Sequence, residues 1–253
     1  MRFVPNRAAP LSAKELYLFD TVGFVRIPGF LSKEAAEECR SAVLGLPSRA
    51  MSGRGDKERF DQVATLVPDV HQLAASEAVR LCVEPLINQP FRLIESYALR
   101  RKGNSVFYLH NGSSEIVRYG TDRAVTRNMG LSHTFHDGKL FCMLVKVLIY
   151  LTDIQMPEDG PFCYIQGSHK ANFPCFPGQE RPSLTKENFP SLDTVFAESG
   201  DALLLNEALL HGTLPKTTDS ERLVIALSYA PSFVTDWKEV DTGSADIHKL
   251  GHY

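Results

Sequence analysis

Two hydrophobic rhythms divide the chain near residue 90. Before that point apolar residues recur at helical spacing. Ser12 stands three residues before Glu15, the spacing of a capping box, and Gly23 follows where a helix C-terminus favours glycine, so a first helix is predicted between them. The strand-like FVRIPGF comes next. Ser32 then caps KEAAEECRSAVLGL, in which Ala36, Cys39, Val43 and Leu46 fall near one face. The glycine-rich, charged MSGRGDKERFDQ reads as a mobile loop, and PDVHQLAASEAVRLCVEPLI resumes the helical rhythm as far as Pro85.

Beyond residue 90 the period shortens to two. FRLIESYALR sets Phe91, Leu93, Tyr97 and Leu99 on one side of a strand, with Glu95 interrupting that side. LFCMLVKVLIYLTD is almost continuously apolar and rich in β-branched residues, the pattern of a strand buried on both faces. Lys146 is the exception in it, and a buried lysine needs a partner. DALLLNEALLHGT and RLVIALSYAP complete the set, with turn-rich stretches such as MPEDGP, PCFPGQERPS and PKTTDSE between the strands. Helices first and strands later predict an α+β chain with a mainly β core, a barrel or jelly roll. Neither an internal repeat nor a linker divides it, so one domain is expected over residues 1–253, helical over about 1–90 and jelly-roll over about 91–235.

Composition narrows the function classes. A net charge of -3 in 253 residues offers no broad basic field, which argues against nucleic acid as the main partner. No stretch reaches the roughly 18 apolar residues of a membrane span, and the first residues lack a signal-peptide core, so a cytoplasmic protein without membrane contact is expected. The five cysteines are scattered without CxxC spacing and read as buried thiols.

Chemistry enters at LLHGTLPKTTDSERLVIALSYAP. Were Leu210 to Thr213 and Arg222 to Tyr229 antiparallel neighbours, Thr213 would lie opposite Arg222 and His211 opposite Val224, and His211, Thr213 and Arg222 would share a cavity. An arginine inside a barrel is costly unless an anion meets it, because it stays charged near neutral pH. A dicarboxylate answers both residues: one end forks onto Arg222 with help from Thr213, and the other chelates a metal held by His211. Alternatively, Arg222 pairs with Asp219 or Glu221 at a strand end and His211 sits in a turn.

Three blocks, in order, resemble the phytanoyl-CoA dioxygenase family: LFDTVGFVRIPGFLSKEAAEECR, VLIYLTDIQMPEDGPFCYIQGSHKANFP, where Gln166 replaces the usual proline, and GDALLLNEALLHGTLPKTTDSERLVIALSYAP. The resemblance implies a double-stranded β-helix that holds Fe(II) and 2-oxoglutarate and uses O2 to oxidise a small-molecule substrate, releasing succinate and CO2. It implies His211 as distal metal ligand, Arg222 as clamp for the far carboxylate and Thr213 as its helper. Lys102 resembles a basic residue that touches the cosubstrate in some members, and His169 falls in a structural segment.

The family's usual His-x-Asp is missing. Order and context favour His110 in YLHNGSSE as the proximal ligand, with Gly112 at the carboxylate position; LSHTFHDGKLF offers His133, His136 and Asp137 instead, but adjacent His136 and Asp137 point to opposite faces of a regular strand. Two neutral histidines leave both charges on Fe(II), so the third position is open to Asp137, Glu115, water or halide. Histidine followed by glycine two residues on is also the form found in related radical halogenases, where chloride fills the gap. A non-catalytic jelly-roll binding protein is the alternative from another class, and Arg118, Arg123 and Arg127 are candidates to meet an acidic substrate.

Overall fold

The computed structural model describes residues 5–51, 56–111, 133–171 and 182–234, and between them the backbone of two short strands at 116–119 and 123–126. Along the chain run α1 (Ala13–Val22), β1 (Phe24–Ile27), α2 (Lys33–Leu44), β2 (Arg49–Ala50), β3 (Asp56–Asp61), α3 (Val63–Leu66), α4 (Pro68–Ala74) and α5 (Glu77–Ile87). The strands β4 (Phe91–Lys102), β5 (Ser105–His110), β6 (Ile116–Tyr119), β7 (Arg123–Thr126), β8 (His133–His136), β9 (Lys139–Cys142) and β10 (Val145–Tyr150) follow. Last come β11 (Phe162–Ile165), β12 (Leu192–Val195), β13 (Ala202–Asn206), β14 (His211–Lys216) and β15 (Arg222–Pro231).

Two antiparallel sheets face each other, a seven-stranded one in the order β1-β13-β10-β15-β4-β3-β2 and a four-stranded one in the order β12-β11-β14-β5; β6-β7 and β8-β9 form separate hairpins. This is the double-stranded β-helix with N-terminal helices that the sequence predicts. The outer face of the large sheet, with Val147, Ile149, Leu204, Leu223, Ile225 and Leu227, is buried against apolar residues of the helices. The inner face, with Tyr150, Leu203, Leu205 and Val224, meets Phe162 and Tyr164 of the small sheet. None of the described helices is long and apolar enough to cross a membrane. Cys39, Cys82, Cys142 and Cys163 are buried thiols, while Cys175 lies outside the described residues.

Local rules hold where the signals are local. Ser12 and Glu15 form the reciprocal capping box, Gly23 ends α1 with φ 98, and Ser32 caps α2 through Ala35 N. Gly23 is required twice over: an added Cβ would lie 2.7 Å from Leu209 Cδ1 and 2.8 Å from His169 Nδ1.

Other expectations are corrected. The charged segment that reads as a loop contains β3, which pairs with β4 along its length; residues 52–55 lie outside the described ones. The last helix runs through Pro85 to Ile87, because a proline one turn from a helix end removes a single intrahelical bond. The period-2 reading of β4 breaks at Ile94, where the register steps from Ser228↔Glu95 to Tyr229↔Leu93. That bulge turns Phe91 and Leu93 to the helices and leaves Tyr97 and Leu99 on the cavity side. Finally, β14 and β15 are not neighbours. The chain crosses between sheets after β14, which pairs with β11 and β5, while β15 pairs with β10 and β4.

Glu15 gives this region a pH dependence. It accepts from Arg7 Nη1 and Nη2, both at 3.0 Å, and from Ser12 N at 2.7 Å. The Arg7 hydrogen bond is the largest cause that lowers its pKa to about 2, with burial working the other way. A depressed carboxylate stabilises the fold above its unfolded pKa of about 4.3, and that contribution is lost as pH falls toward the folded value. Glu15→Gln should therefore lower the melting temperature at pH 7, and the gap to wild type should close between about pH 4.3 and pH 2; a gap of constant size across thermal melts in that window contradicts the assignment.

Candidate functional site

The space between the sheets is a cavity of about 220 Å³. Its floor is the inner face of the large sheet, and pairing register sets the floor out in rows. Arg222 lies beside Arg101, Val224 beside Leu99, Ala226 beside Tyr97, and Ser228 beside Glu95. On the other side of β15, Val224, Ala226 and Ser228 pair with Tyr150, Leu148 and Lys146. The floor thus passes from cations at one end, through aliphatic residues, to a second polar group at the other.

Across the cavity the small sheet presents two imidazoles. His211 on β14 pairs directly with His110 on β5, and their ring centroids are 4.5 Å apart. Each donates Nδ1–H to the carbonyl two residues earlier in the chain, His110 to Tyr108 O at 2.8 Å and His211 to Leu209 O at 2.7 Å. Both rings therefore carry the lone pair on Nε2, the form a metal requires. Burial, then the neighbouring His110, lowers the pKa of His211 to about 3, so it stays neutral throughout the physiological range. His211 is buried and stacks on Phe162 at 5.6 Å, while His110 is exposed on the edge strand.

Two local features bring the imidazoles together. β5 carries one residue more than β14 between the pairs His211↔His110 and Thr213↔Phe107, and this bulge puts both Phe107 and His110 against the cavity. Gly212 makes room for the crossing. A Cβ there would stand 2.6 Å from Phe107 O and 2.9 Å from Tyr108 O.

At the cationic end, Arg222 is buried with its Nε lacking any hydrogen-bond partner, and the Tyr150 hydroxyl is equally unpartnered. Among the described residues no carboxylate lies within ion-pair distance of Arg222; Glu221, its neighbour in the chain, pairs instead with Arg40 and Arg100. Burial presses the Arg222 pKa downward. Arg101 is also fully buried without an acid, and its pKa falls to about 9, by burial first and by the charge of Arg222 second. Its guanidinium donates to Ser105 O at 2.5 Å, Ser105 Oγ at 3.0 Å, Leu214 O at 3.2 Å and Thr213 Oγ1 at 2.5 Å. Thr213 Oγ1 accepts a second bond from Phe107 N at 3.3 Å. With both lone pairs engaged, the threonine can only donate onward. Donors from Arg222, Tyr150 and Thr213 thus stand without an acceptor of their own, and an anion is what such a group binds.

His110, His211, Thr213 and Arg222 all line this one cavity. They meet because two sheets face each other, and not through the pairing of adjacent strands that the sequence suggests for Thr213 and Arg222. Lys102 is exposed and lines no part of the cavity, and the buried cation at that end is Arg101. Strand parity could have found it, since Arg101 shares a face with Tyr97 and Leu99. His133 is tied to Asp20 at 3.0 Å and Cys142 at 3.2 Å, and His136 and Asp137 form an exposed hairpin turn. His169 donates to Asp20 O at 2.8 Å and braces α1. Lys146 has the partner the sequence could not name, Glu207, at 2.9 Å. Gly112, Glu115 and Arg127 lie outside the described residues, as do the side chains of Arg118 and Arg123. Among the described residues no third His, Cys, Asp or Glu joins the histidine pair closely enough to share a metal.

The model of the family described as Phytanoyl-CoA dioxygenase (PhyH) matches residues 19–224. Among solved structures, HygX from Streptomyces hygroscopicus with nickel and 2-oxoglutarate bound is 45% identical, with 96% of each chain covered and a TM-score of 0.82. HygX with nickel, 2-oxoglutarate and hygromycin B bound is 47% identical, with 94% of each chain covered and a TM-score of 0.81. The epimerase SnoN from nogalamycin biosynthesis shares the fold at 19% identity and a TM-score of 0.64, over 87% of this chain and 80% of its own. Among curated proteins no sequence matches.

Gly212→Ala should drive β5 away from β14 and part the imidazoles. Disturbing the support of a ligand costs about 10–100-fold in metal affinity. Calorimetric titration with Ni(II) should show a loss of that order, and unchanged affinity contradicts the role given to the glycine.

Proposed function

This chain belongs to the phytanoyl-CoA dioxygenase family, and from that premise we propose that it is a non-haem Fe(II)- and 2-oxoglutarate-dependent oxygenase that hydroxylates an aliphatic C–H of a small molecule. The observation that carries the reading is the buried guanidinium of Arg222, with an unpartnered Nε, at the closed end of a cavity whose other wall holds two Nε2 donors.

The donor set fits both groups. His110 and His211 supply neutral imidazole nitrogens for a divalent first-row metal, and Arg222, Tyr150 and Thr213 supply hydrogen-bond donors for the far carboxylate of 2-oxoglutarate. Leu99, Leu148, Val224 and Ala226 line the stretch between and match its methylene chain. Iron with 2-oxoglutarate supplies the oxidising chemistry, in which O2 is consumed, succinate and CO2 are released and a substrate C–H is oxidised.

The chain's own residues do the positioning. Arg101 fixes the rotamer of Thr213, so its hydroxyl is aimed before any ligand arrives. The carbonyls of Tyr108 and Leu209 fix the imidazole tautomers, and the aliphatic floor keeps water from the reacting centre. The similarity to HygX with hygromycin B bound supports a polyhydroxylated substrate of that general kind. Halogenation is the second reading. It is favoured by the Gly112 two residues after His110 and by the lack of a third ligand among the described residues.

Anaerobic titration of the Fe(II) protein with 2-oxoglutarate should raise a visible charge-transfer band, and His211→Ala should abolish it. A band that shifts with chloride supports halogenation, a band indifferent to chloride supports hydroxylation, and no band refutes the enzyme reading. Arg222→Leu should weaken 2-oxoglutarate binding by about 2–5 kcal/mol, roughly 30-fold to several thousand-fold. It should also leave the ligand-free protein as stable or more so, because it removes a buried charge that no acid neutralises. Tight binding retained in this variant would refute the clamp, and a lowered melting point would mark the arginine as structural.

A further inference from the structure

The end of the cavity floor away from Arg222 is polar without being cationic. Lys146 and Arg59 meet three carboxylates there. Lys146 Nζ lies 2.9 Å from Glu207 Oε1, Arg59 Nη2 lies 2.8 Å from Glu95 Oε1, and Arg59 Nε lies 2.5 Å from Asp61 Oδ1. With Arg49, whose Nε lies 2.6 Å from Asp61 Oδ2, three cations meet three acids and this end is balanced, whereas no described carboxylate pairs with Arg222 or Arg101 at the other end. Tyr97 joins the groups. Its hydroxyl accepts from Lys146 at 3.2 Å, and the Arg59 guanidinium covers one face of its ring at 3.9 Å.

Stability does not explain the Lys146–Glu207 pair. Replacing a buried ion pair by apolar side chains of similar volume is often neutral or stabilising, and the strands on either side of Lys146 are apolar. What the pair provides is an aimed donor. Lys146 spends two of its three N–H groups on Glu207 and Tyr97, and its side chain lines the cavity. Tyr97 accepts from Lys146 and keeps its own proton to donate. Burial is the largest single influence and works against the lysine's charge, but Glu207, Tyr97 and Glu95 together outweigh it and the pKa is raised, so the donor stays an ammonium.

Resting on the oxygenase reading, we infer that Lys146 and Tyr97 form the substrate-reading end of the cavity, a hydroxyl-binding subsite for a neutral or cationic polyol such as a sugar or aminocyclitol ring, with Glu207 as the residue that positions Lys146. Its cations are already paired with carboxylates, so it offers no free counter-charge to an anionic acyl thioester of the kind the family's name describes. At about 220 Å³ the cavity is smaller than the roughly 300–1,000 Å³ usual for a drug-sized ligand, so beyond the cosubstrate it admits one ring of a larger molecule.

The test uses full-length protein loaded with Ni(II) and 2-oxoglutarate, which does not turn over, and hygromycin B as the polyol probe, with palmitoyl-CoA as the contrasting one. Lys146→Met alone strands the Glu207 charge and should lower the melting point, so the decisive variant is Lys146→Met with Glu207→Gln. It should melt and bind 2-oxoglutarate like wild type while its affinity for hygromycin B, read by calorimetry, falls at least tenfold. The inference is overturned if that variant holds hygromycin B as tightly as wild type, or if wild type binds palmitoyl-CoA in preference to hygromycin B or binds no hygromycin B at all. Wild type that fails to bind Ni(II) and 2-oxoglutarate strikes the oxygenase reading instead.

Discussion

Arg222 carries a charge that cannot be shed into a wall of β-strands where no described carboxylate meets it. The desolvation of such a group costs several kcal/mol, and the fold tolerates it only because the rest of the β-sandwich is built around the deficit. Arg101 stands alongside in the same row, also without an acid, and spends its donors on Ser105, Leu214 and Thr213. Thr213 passes that orientation on as a hydroxyl aimed into the cavity. On the proposed reading, a dianion that fills this deficit would supply the electrostatic energy that the protein alone lacks.

The cavity is graded along its length by the register of three strands. Arg222 and Arg101 close one end, Val224, Leu99, Leu148 and Ala226 make an aliphatic middle, and Lys146, Tyr97, Glu95 and Arg59 make a polar end whose charges pair among themselves. Because cross-strand neighbours share a face, one register fixes all of these positions together. The imidazoles come from the opposite sheet, and their meeting depends on a bulge in β5 and on the missing side chain of Gly212.

What could be read from the sequence follows from how local each signal is. The Ser12–Glu15 box, the Ser32 cap and the Gly23 terminus are contained within a few residues, and each appears as expected. Arg222, His211 and Thr213 were legible as a group because the cost of burying an arginine calls for an acceptor in any geometry, although the strands that carry them lie in different sheets. Residues 91–99 were misread because the bulge at Ile94 reverses the side of everything beyond it, and bulges leave no trace in hydrophobic alternation. Lys102 carries the motif likeness but is exposed, while its neighbour Arg101, one residue earlier and on the inward side, is the buried cation. Glu207 was hidden because its partner Lys146 is 61 residues away along the chain.

The most direct measurement of the account is a crystal structure of the protein soaked with Ni(II) and 2-oxoglutarate. Nε2 of His110 and of His211 should stand at about 2.1 Å from the metal, with the far carboxylate seated on Arg222 and Thr213. A metal bound elsewhere, or a 2-oxoglutarate whose far carboxylate avoids Arg222, would contradict it.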